Sequence, residues 1–501
     1  MPDMSEEIRS IVEHVLSSAE VQALLKSGKG AAGTAGAAGQ GGATGEGIGA
    51  SAGATAGGAL GKGVFIDIDS AVSAAGAAQK VFITLPLDTR RRIIDSMRQA
   101  VLDQNESLSG DAVAETGLGN VRDKKVKNEL AALKTPGVED VGPTAFSDEH
   151  GLTITEHAPY GVIGAITPVT NPLATITSNS IGMLASGNTV VFNVHPGAKR
   201  VSCRLVGILN DAIVAAGGPP NTLCAVSNPT IESAGELMRH RGIALLVVTG
   251  GPGVVKAAMA SGRKAICAGP GNPPVVVDAT ADLVKAGRDI VAGAGFDNNV
   301  VCTCEKEILA VESIADRLKQ EMRASGAFEL TGGQIEAVTR AALSPDALPG
   351  RPAPPNKDLV GKDPVVIARA AGIDVPPQTR VLLMEVGADH PMIWSEQLMP
   401  VIPLVRMRSV DEAIDFAVKV EHGFRHTAMI HSHDIEKLSR MARLMNCSLF
   451  VKNGPNFAGL GRGGAGYASF TIASPTGEGL TRARTFTRER RCTLVDAFRI
   501  I

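Results

Sequence analysis

The sequence predicts an α/β protein built from two α/β domains with a cleft between them. Three observations support this prediction. Strand-like apolar segments alternate with helical segments from residue 161 to residue 268, and a second alternating set runs from residue 274 to residue 453. Both sets follow residues 28–63, which consist almost entirely of Gly, Ala, Ser and Thr. Such βαβα alternation is typical of a parallel sheet covered by helices on both faces.

The N-terminal residues 1–27 have the pattern of a short amphipathic helix. Ser5 is suited to cap this helix, and apolar residues recur with helical spacing at Ile8, Ile11, Val12, Val15 and Leu16. Residues 28–63 offer so little apolar side chain to bury that we expect a disordered linker there. The alternative is a disordered tail that has no role.

The bulk composition argues against several classes of protein. A formal net charge of −2 gives no electrostatic basis for binding nucleic acid or an anionic membrane. We expect no transmembrane helix and no secretory signal, because the apolar runs are too short and the N-terminus lacks a basic region. The 7 cysteines are scattered over 501 residues, which predicts free thiols in a reducing cytosol.

The globular part is predicted to begin near residue 64. Residues 88–134 are charged and regular, which predicts helices that end before Pro136. Strands are then predicted at residues 161–167, 189–194, 222–226, 244–248 and 264–268, and helices at residues 172–186, 198–216 and 230–241 and after the turn at 250–253. Sheets of this kind bind nucleotides at the carboxyl ends of their strands. The G-x-G-x-x-G fingerprint, however, is absent from the strand–helix turns.

Two of the cysteines lie in a predicted loop. Cys302 and Cys304 follow the segment FDNNVV (296–301), whereas Cys203, Cys224 and Cys267 lie within predicted helices or strands. A thiol nucleophile must be accessible and easily ionised, and a loop can provide such an environment. A single Cys-x-Cys pair is weak evidence for a metal site, and we expect no metal.

The loop sequence FDNNVVCTCEKE (296–307) resembles the catalytic loop of the aldehyde dehydrogenase superfamily, in particular its CoA-acylating branch. Further segments resemble the same family in the same order: GVIGAITPVTNP (161–172), VTGGPGVV (248–255), HPMIWSEQLMPVIPLVR (390–406), VEHGFRHTAMIHS (420–432) and SFTIASPTGEGLTRARTFTRERRC (469–492). The last two are most similar to the propionaldehyde dehydrogenases of bacterial microcompartments. The resemblance covers residues 64–501. It implies a Rossmann-type NAD-binding domain at 64–273, a catalytic domain at 274–460 and a return to the first domain at 461–501.

The resemblance also implies roles for individual residues. Cys302 would be the nucleophile, and Asn171 with the backbone N–H of Cys302 would hold the oxyanion, with Thr170 as the alternative. His426 would be an acid/base or a structural histidine, and Cys304 has no implied role. The residues implied to line the cofactor are Thr167, Pro168, His195, Pro196, Thr249, Gly250, Gly251, Gly269, Glu396 and Leu398. Among these, Glu396 would bind the nicotinamide ribose.

The implied activity is the oxidation of a short aldehyde by NAD, with propanal as the expected substrate. The acyl group would pass to coenzyme A through a thiohemiacetal and an acyl thioester on Cys302, in a ping-pong scheme. Hydrolytic relatives carry a Glu in an E-L-G-G motif, but the matching residues 267–272 include no carboxylate. Water then lacks a general base, which favours CoA as the acceptor. The alternatives are a hydrolytic aldehyde dehydrogenase, an acetaldehyde dehydrogenase of ethanolamine use, and a non-catalytic scaffold protein of the shell lumen.

The resemblance further implies a location and an assembly. Residues 1–27 are identified as an encapsulation peptide that docks onto shell proteins, so we expect the chain inside a microcompartment in the bacterial cytoplasm. Residues 153–157 and about 484–492 resemble strands of the family's oligomerisation sheet, which predicts a homo-oligomer, a dimer or a tetramer.

Overall fold

The first of two large sheets forms the N-terminal half of the fold. The computed structural model describes residues 59–501. In spatial order the strands of this sheet are Ala59–Gly61, Val64–Phe65, Leu223–Val226, Thr189–Asn193, Val162–Ile166, Leu245–Thr249 and Ala265–Ala268. The first pair is antiparallel and the other pairs are parallel. Alternate residues of the central strand pack in different apolar cores, with Ile163 in one and Val162 in the other. Burial of both faces explains why these strands are continuously apolar.

A second sheet of seven parallel strands follows along the chain. Its spatial order is Ala327–Leu330, Val381–Glu385, Val401–Met407, Glu307–Val311, Pro274–Val277, Thr427–His431 and Leu449–Lys452. All neighbouring strands are parallel. Val275 and Val276 again lie in two different cores, so helices cover both faces of this sheet as well. The predicted α/β architecture with two sheets is confirmed.

Helices connect these strands and cover the sheets. They are Ile68–Phe82, Leu87–Asp103, Asn105–Thr116, Val121–Lys134, Pro172–Ala185, Lys199–Ala215, Ile231–Arg239, Pro252–Met259, Leu283–Ala294, Glu312–Ala324, Gly333–Ala342, Pro364–Ala370, Val410–Val420 and Ile435–Met445. The prediction of helices within 88–134 is confirmed, with breaks at Gln104 and at Gly117, whose φ is +67°. Asn120 caps the helix that follows, because its side chain accepts a hydrogen bond from the backbone N–H of Asp123 at 2.9 Å.

A small three-stranded antiparallel sheet is formed by distant parts of the chain. Its spatial order is Thr487–Val495, Gly151–Pro159 and Thr144–Asp148. The two strands predicted at 153–157 and 484–492 are therefore neighbours, and Glu156 pairs with Arg490. Residues 484–486 belong to the 3-10 turn Ala483–Phe486 rather than to the strand. The strand Thr144–Asp148 was not predicted, because its exposed side chains give no apolar alternation.

The boundary of the predicted linker requires a correction. Residues 28–63 were expected to be disordered, but Ala59–Gly61 form a strand that pairs with Val64–Phe65. Strand pairing uses backbone groups, and a segment of three residues is too short to show an alternating pattern in the sequence. The predicted amphipathic helix at 1–27 and the rest of the linker lie outside the described residues. Within residues 59–501, no helix combines the length and the apolar character required to cross a bilayer.

Candidate active site

A cavity of about 270 Å³ lies where the carboxyl ends of the first sheet meet loops of the second. The first sheet contributes the residues that follow four of its strands, namely Pro168–Asn171, His195, Thr249–Pro252 and Gly269–Pro270. The opposite wall is formed by Val300–Thr303, Glu396, Leu398, Leu460, Ser469, Phe470 and Ile472. In the predicted cleft, the loop that contains Cys302 therefore lies at the carboxyl edge of a parallel sheet, where such sheets bind nucleotides.

The loop that carries Cys302 has an unusual backbone. Asp297, Asn298 and Asn299 have φ values of +47°, +54° and +64°, which few residues other than Gly, Asn and Asp adopt readily. The two asparagine side chains are also held by hydrogen bonds. Asn298 donates to the carbonyl of Gly361 at 3.0 Å, and Asn299 donates to the carbonyl of Ala294 at 2.8 Å. The D-N-N run therefore encodes a rigid left-handed turn that delivers Cys302 to the cavity.

A buried ionic cluster supports this turn from the helix Val121–Lys134. Asp297 is fully buried and accepts hydrogen bonds from Lys124 and Lys127, each only 2–3% exposed. The other oxygen of Asp297 accepts from the backbone N–H of Asn120 at 2.9 Å. Gly119 is required beside it, because a Cβ there would lie 1.9 Å from that carboxylate oxygen. Buried charges persist only when paired in this way.

The thiol of Cys302 is half-buried in the cavity wall. Desolvation and, to a smaller extent, the nearby Glu396 raise its pKa to about 12, although Lys306, the backbone N–H of Cys302 and Lys127 act in the opposite direction. At neutral pH the free protein therefore holds a thiol rather than a thiolate. Attack on a substrate requires that the proton be removed as the bond forms.

Lys306 is a third buried lysine near Cys302. Its ammonium group is fully buried and donates to the carbonyl oxygen of Asn299 at 3.1 Å and to the side-chain oxygen of Asn299. The same cation lowers the pKa values of Cys302 and Glu396, both of which burial raises. Lys306 thus ties the end of the loop and makes the site more positive.

Glu396 and His426 both lie next to Gly271. The carboxylate of Glu396 accepts the backbone N–H of Gly271 at 3.2 Å. A Cβ at Gly271 would lie 2.9 Å from the ring of His426 and 3.1 Å from the carbonyl oxygen of Cys302. His426 is fully buried, and burial lowers its pKa to about 4. Its Nδ1 is 2.8 Å from Thr427 Oγ1, and its Nε2 has no hydrogen-bond partner within the described residues.

The wall formed by the first sheet has the features of an anion-binding turn. Gly250, Gly251 and Pro252 line the cavity, and Pro252 begins the helix Pro252–Met259. No atom of residues 59–501 lies within 4 Å of a Cβ built at Gly251, so a ligand can approach the backbone there. The positive end of a helix attracts phosphate groups. Thr249 connects this wall to the C-terminal segment, since its hydroxyl is 2.9 Å from that of Thr471.

Most of the predicted site residues line this one cavity. These are Cys302, Asn171, Thr170, Pro168, His195, Thr249, Gly250, Gly251, Gly269, Glu396 and Leu398. Three do not line it. Thr167 is buried and its hydroxyl has no partner in the described part of the chain, Pro196 begins an exposed 3-10 turn, and His426 lies behind Gly271. Of the described residues around the cavity, Glu396 alone carries a carboxylate.

Sequence reasoning missed the buried lysines. Lys124, Lys127 and Lys306 were not singled out, because charged residues on a helix or beside a strand are normally solvated. Asp297 was quoted only as part of a motif. A signal was present in both places: the D-N-N run is typical of a left-handed turn, and Lys124 and Lys127 are three residues apart and so share a helix face.

The chain is similar to known enzymes over most of its length. The family model described as "Aldehyde dehydrogenase family" matches residues 61–336. An acetaldehyde dehydrogenase (acetylating) of Bilophila wadsworthia is 50% identical over 444 residues, which cover 88% of this chain and 91% of the relative.

Two solved structures have nearly the same fold. The propionaldehyde dehydrogenase of Rhodopseudomonas palustris, solved with bound propionyl-CoA, is 48% identical with a TM-score of 0.85, over 87% of this chain and 96% of that one. A propionaldehyde dehydrogenase from the fucose utilisation microcompartment of Clostridium phytofermentans is 46% identical with a TM-score of 0.85, over 88% of this chain and 100% of that one. The resemblance inferred from the motifs is confirmed, and the chain belongs to the aldehyde dehydrogenase family.

Proposed function

We propose that this protein is a CoA-acylating aldehyde dehydrogenase that oxidises a short aldehyde with NAD and transfers the acyl group to coenzyme A. One observation carries the proposal: Cys302 faces a cavity whose described lining includes the single carboxylate Glu396, and that carboxylate is bonded to the backbone of Gly271. The names of the relatives, which are acetylating or bind propionyl-CoA, support the same activity.

The residues present fit a nicotinamide cofactor. The open backbone at Gly251 and the helix that begins at Pro252 suit a pyrophosphate. The hydroxyl of the buried Thr167, which follows the central strand and has no hydrogen-bond partner among residues 59–501, can bond to a ligand near the same wall. Pro168, His195, Thr249, Gly250 and Gly269 would line the bound cofactor, with Pro196 at its outer edge. Glu396 would hold the nicotinamide ribose beside Leu398. When bound, the nicotinamide supplies the hydride acceptor.

The reaction begins at Cys302. Its sulfur attacks the aldehyde carbon, the thiol proton is released, and a thiohemiacetal oxyanion forms on the enzyme. The amide of Asn171 and the backbone N–H of Cys302 stabilise the oxyanion, with the hydroxyl of Thr170 as the alternative donor. A donor of this kind contributes roughly 3–4 kcal/mol to the transition state. Loss of hydride from the same carbon leaves an acyl thioester on Cys302.

The acceptor of the acyl group follows from the groups near the thioester. Hydrolytic relatives carry a general base in the segment that matches residues 267–272. In this chain the segment contributes Gly269 and Pro270 to the cavity wall and contains no carboxylate. A thiol needs less activation than water near neutral pH. We propose His426, whose Nε2 has no hydrogen-bond partner within the described residues, as the acid/base that serves the thiol steps.

Turnover of propanal should require CoA. Without CoA, NADH formation should stop after about one equivalent per active site, and the steady rate should be at least about 10²-fold lower than with saturating CoA, because water lacks a general base. The measurement is NADH absorbance with and without CoA, together with mass spectrometry of the product thioester. Rapid formation of free propionate without CoA would contradict the proposal.

Two aldehydes compete as the preferred substrate. The relatives are named for acetaldehyde in one case and for propionaldehyde in the others. One methylene in an apolar pocket changes kcat/KM by roughly 10–200-fold. We propose propanal as the substrate and acetaldehyde, as in ethanolamine use, as the alternative. A series of kcat/KM values from ethanal to pentanal distinguishes them.

NAD should be preferred over NADP by at least about tenfold in kcat/KM, since a 2′-phosphate needs a cationic partner. The nearest basic residues are already engaged: Lys199 donates to Asn228 at 2.8 Å, and Arg200 lies 3.4 Å from Glu115. Initial rates at saturating aldehyde and CoA test this preference. Equal kcat/KM values for the two cofactors would refute it.

We further propose an oligomer and an encapsulated location. The sheet of Thr144–Asp148, Gly151–Pro159 and Thr487–Val495 exposes Phe146 and Val495 at 62% and 65%. Within the described part of the chain, each of its two outer strands has one unpaired edge, and exposed apolar edges of this kind favour pairing with another chain. Residues 1–27 would bind shell proteins, as the microcompartment origin of one relative suggests. The protein would then work in a microcompartment of the bacterial cytoplasm.

A further inference from the structure

We infer that Lys127 is a positioning residue that fixes the orientation of the Asn171 amide. The inference deepens the proposed function, because it rests on Asn171 as the oxyanion donor. It assigns a role to a buried lysine on the helix Val121–Lys134, outside the residues that line the cavity.

All three N–H donors of Lys127 can be assigned to acceptors. Its Nζ donates to the side-chain oxygen of Asn171 at 2.7 Å, to the carbonyl oxygen of Thr170 at 3.4 Å and to the carboxylate of Asp297. The side chain of Lys127 is 3% exposed, so water does not compete with these bonds. Lys127 thus contacts both oxyanion candidates and the turn that leads to Cys302.

The ammonium group determines which way the Asn171 amide faces. An ammonium group only donates hydrogen bonds, whereas a side-chain amide has one accepting and one donating end. The oxygen of Asn171 must therefore face Lys127, and its NH₂ group must point away from it. Its Nδ2 donates one N–H to the hydroxyl oxygen of Thr170 at 3.2 Å, and the second N–H remains for a ligand in the cavity that Asn171 lines.

The side chain of Asn171 does not cap the helix that follows it. Asn171 is the N-cap residue of the helix Pro172–Ala185, where an asparagine side chain usually accepts a backbone N–H. Here no such capping bond forms, and the side-chain oxygen faces Lys127 instead. The amide is therefore oriented by the lysine rather than by the helix.

Lys124 provides a matched control. It lies on the same helix, is equally buried and donates to the same oxygen of Asp297 at 3.2 Å. No hydrogen bond joins Lys124 to Asn171 within residues 59–501. Replacing either lysine leaves Asp297 with the other one, but only the loss of Lys127 frees the Asn171 amide to rotate.

The test compares Lys127→Met with Lys124→Met in the full-length enzyme. We expect Lys127→Met to lower kcat for propanal by about 10- to 100-fold, below the roughly 10²–10³-fold effect of removing an oxyanion donor altogether. The KM for propanal and the Kd for NAD should stay within about threefold. Lys124→Met should keep kcat within about threefold despite a similar loss in Tm. Lys127→Gln retains a hydrogen-bond donor and should keep more activity than Lys127→Met. It replaces Lys127→Met in the comparison if that variant fails to fold.

A double substitution separates positioning from a general structural effect. If Lys127 acts through Asn171, then Lys127→Met combined with Asn171→Ala should be no slower than Asn171→Ala alone. Multiplied losses, or an equal fall in kcat for Lys124→Met, would overturn the inference. Full activity of Asn171→Ala would also overturn it while leaving the proposed reaction intact. Failure of the reaction itself would appear separately, as a wild-type enzyme that forms no thioester.

Discussion

Cys302→Ala should lose at least about 10⁴-fold in kcat for aldehyde oxidation, because only this thiol can form the covalent intermediate in the proposed reaction. The same variant should bind NAD with a Kd within about threefold of the wild type, since the cofactor wall belongs mainly to the first sheet. Activity is followed by NADH absorbance and binding by fluorescence titration. Mass spectrometry with propanal and NAD, but without CoA, should detect a propionyl adduct on the wild type and none on the variant.

Cys304→Ala is the matched control, two residues away. Cys304 is completely buried, and its sulfur lies 3.7 Å from the carbonyl oxygen of Phe296, within the apolar cluster formed with Val301. Unlike Cys302, this thiol does not line the cavity, so a substrate cannot reach it, and burial raises its pKa as well. The control should keep kcat within about threefold and lose about 1 kcal/mol of stability. If Cys304→Ala were inactive and Cys302→Ala active, the assignment of the nucleophile would be wrong.

The sheets and most site residues could be predicted because their signals are local. Strands such as Val162–Ile166 and Leu245–Thr249 are short apolar runs bounded by turn residues, and two of the helices between them are closely followed by glycines, Gly187 and Gly217. The motif around Cys302 identified the loop, and the other motifs placed Asn171, Thr249 and Glu396 along the same cavity. Family membership was recognised from the same segments.

What could not be predicted depends on contacts between distant residues. The cluster of Lys124, Lys127 and Asp297 joins positions separated by 173 and 170 residues, and nothing local distinguishes these lysines from solvated ones. The orientation of the Asn171 amide is likewise set across 44 residues. The strand Thr144–Asp148 lacks an apolar pattern because its side chains are exposed, so only its partner Gly151–Pro159 reveals it.

Removal of residues 1–27 should abolish entry into shells while leaving kcat and the Kd for NAD within about twofold. The proposed catalytic groups lie in residues 59–501, whereas the sequence of residues 1–27 predicts an apolar helical stripe at Ile8, Ile11, Val12, Val15 and Leu16 and a polar opposite face. A helix this short is marginal alone in water. Insertion of its stripe into the groove of a shell protein would stabilise it. The measurement is co-purification of truncated and full-length enzyme with assembled shells, with activity assayed on both.

Two fusions test whether the stripe itself is the recognition element. Residues 1–27 fused to an unrelated fluorescent reporter should carry the reporter into shells, and Ile11→Glu with Val15→Glu should reduce its recovery with shells by at least about tenfold, because two carboxylates would be desolvated in an apolar groove. Ser10→Glu with Ser17→Glu is the charge-matched control, since these positions lie opposite the stripe on a helix of 3.6 residues per turn. That control should enter shells normally. Equal loss for both pairs would indicate that negative charge, rather than the stripe, prevents entry, and a truncated enzyme that still enters shells would assign targeting to residues 28–501.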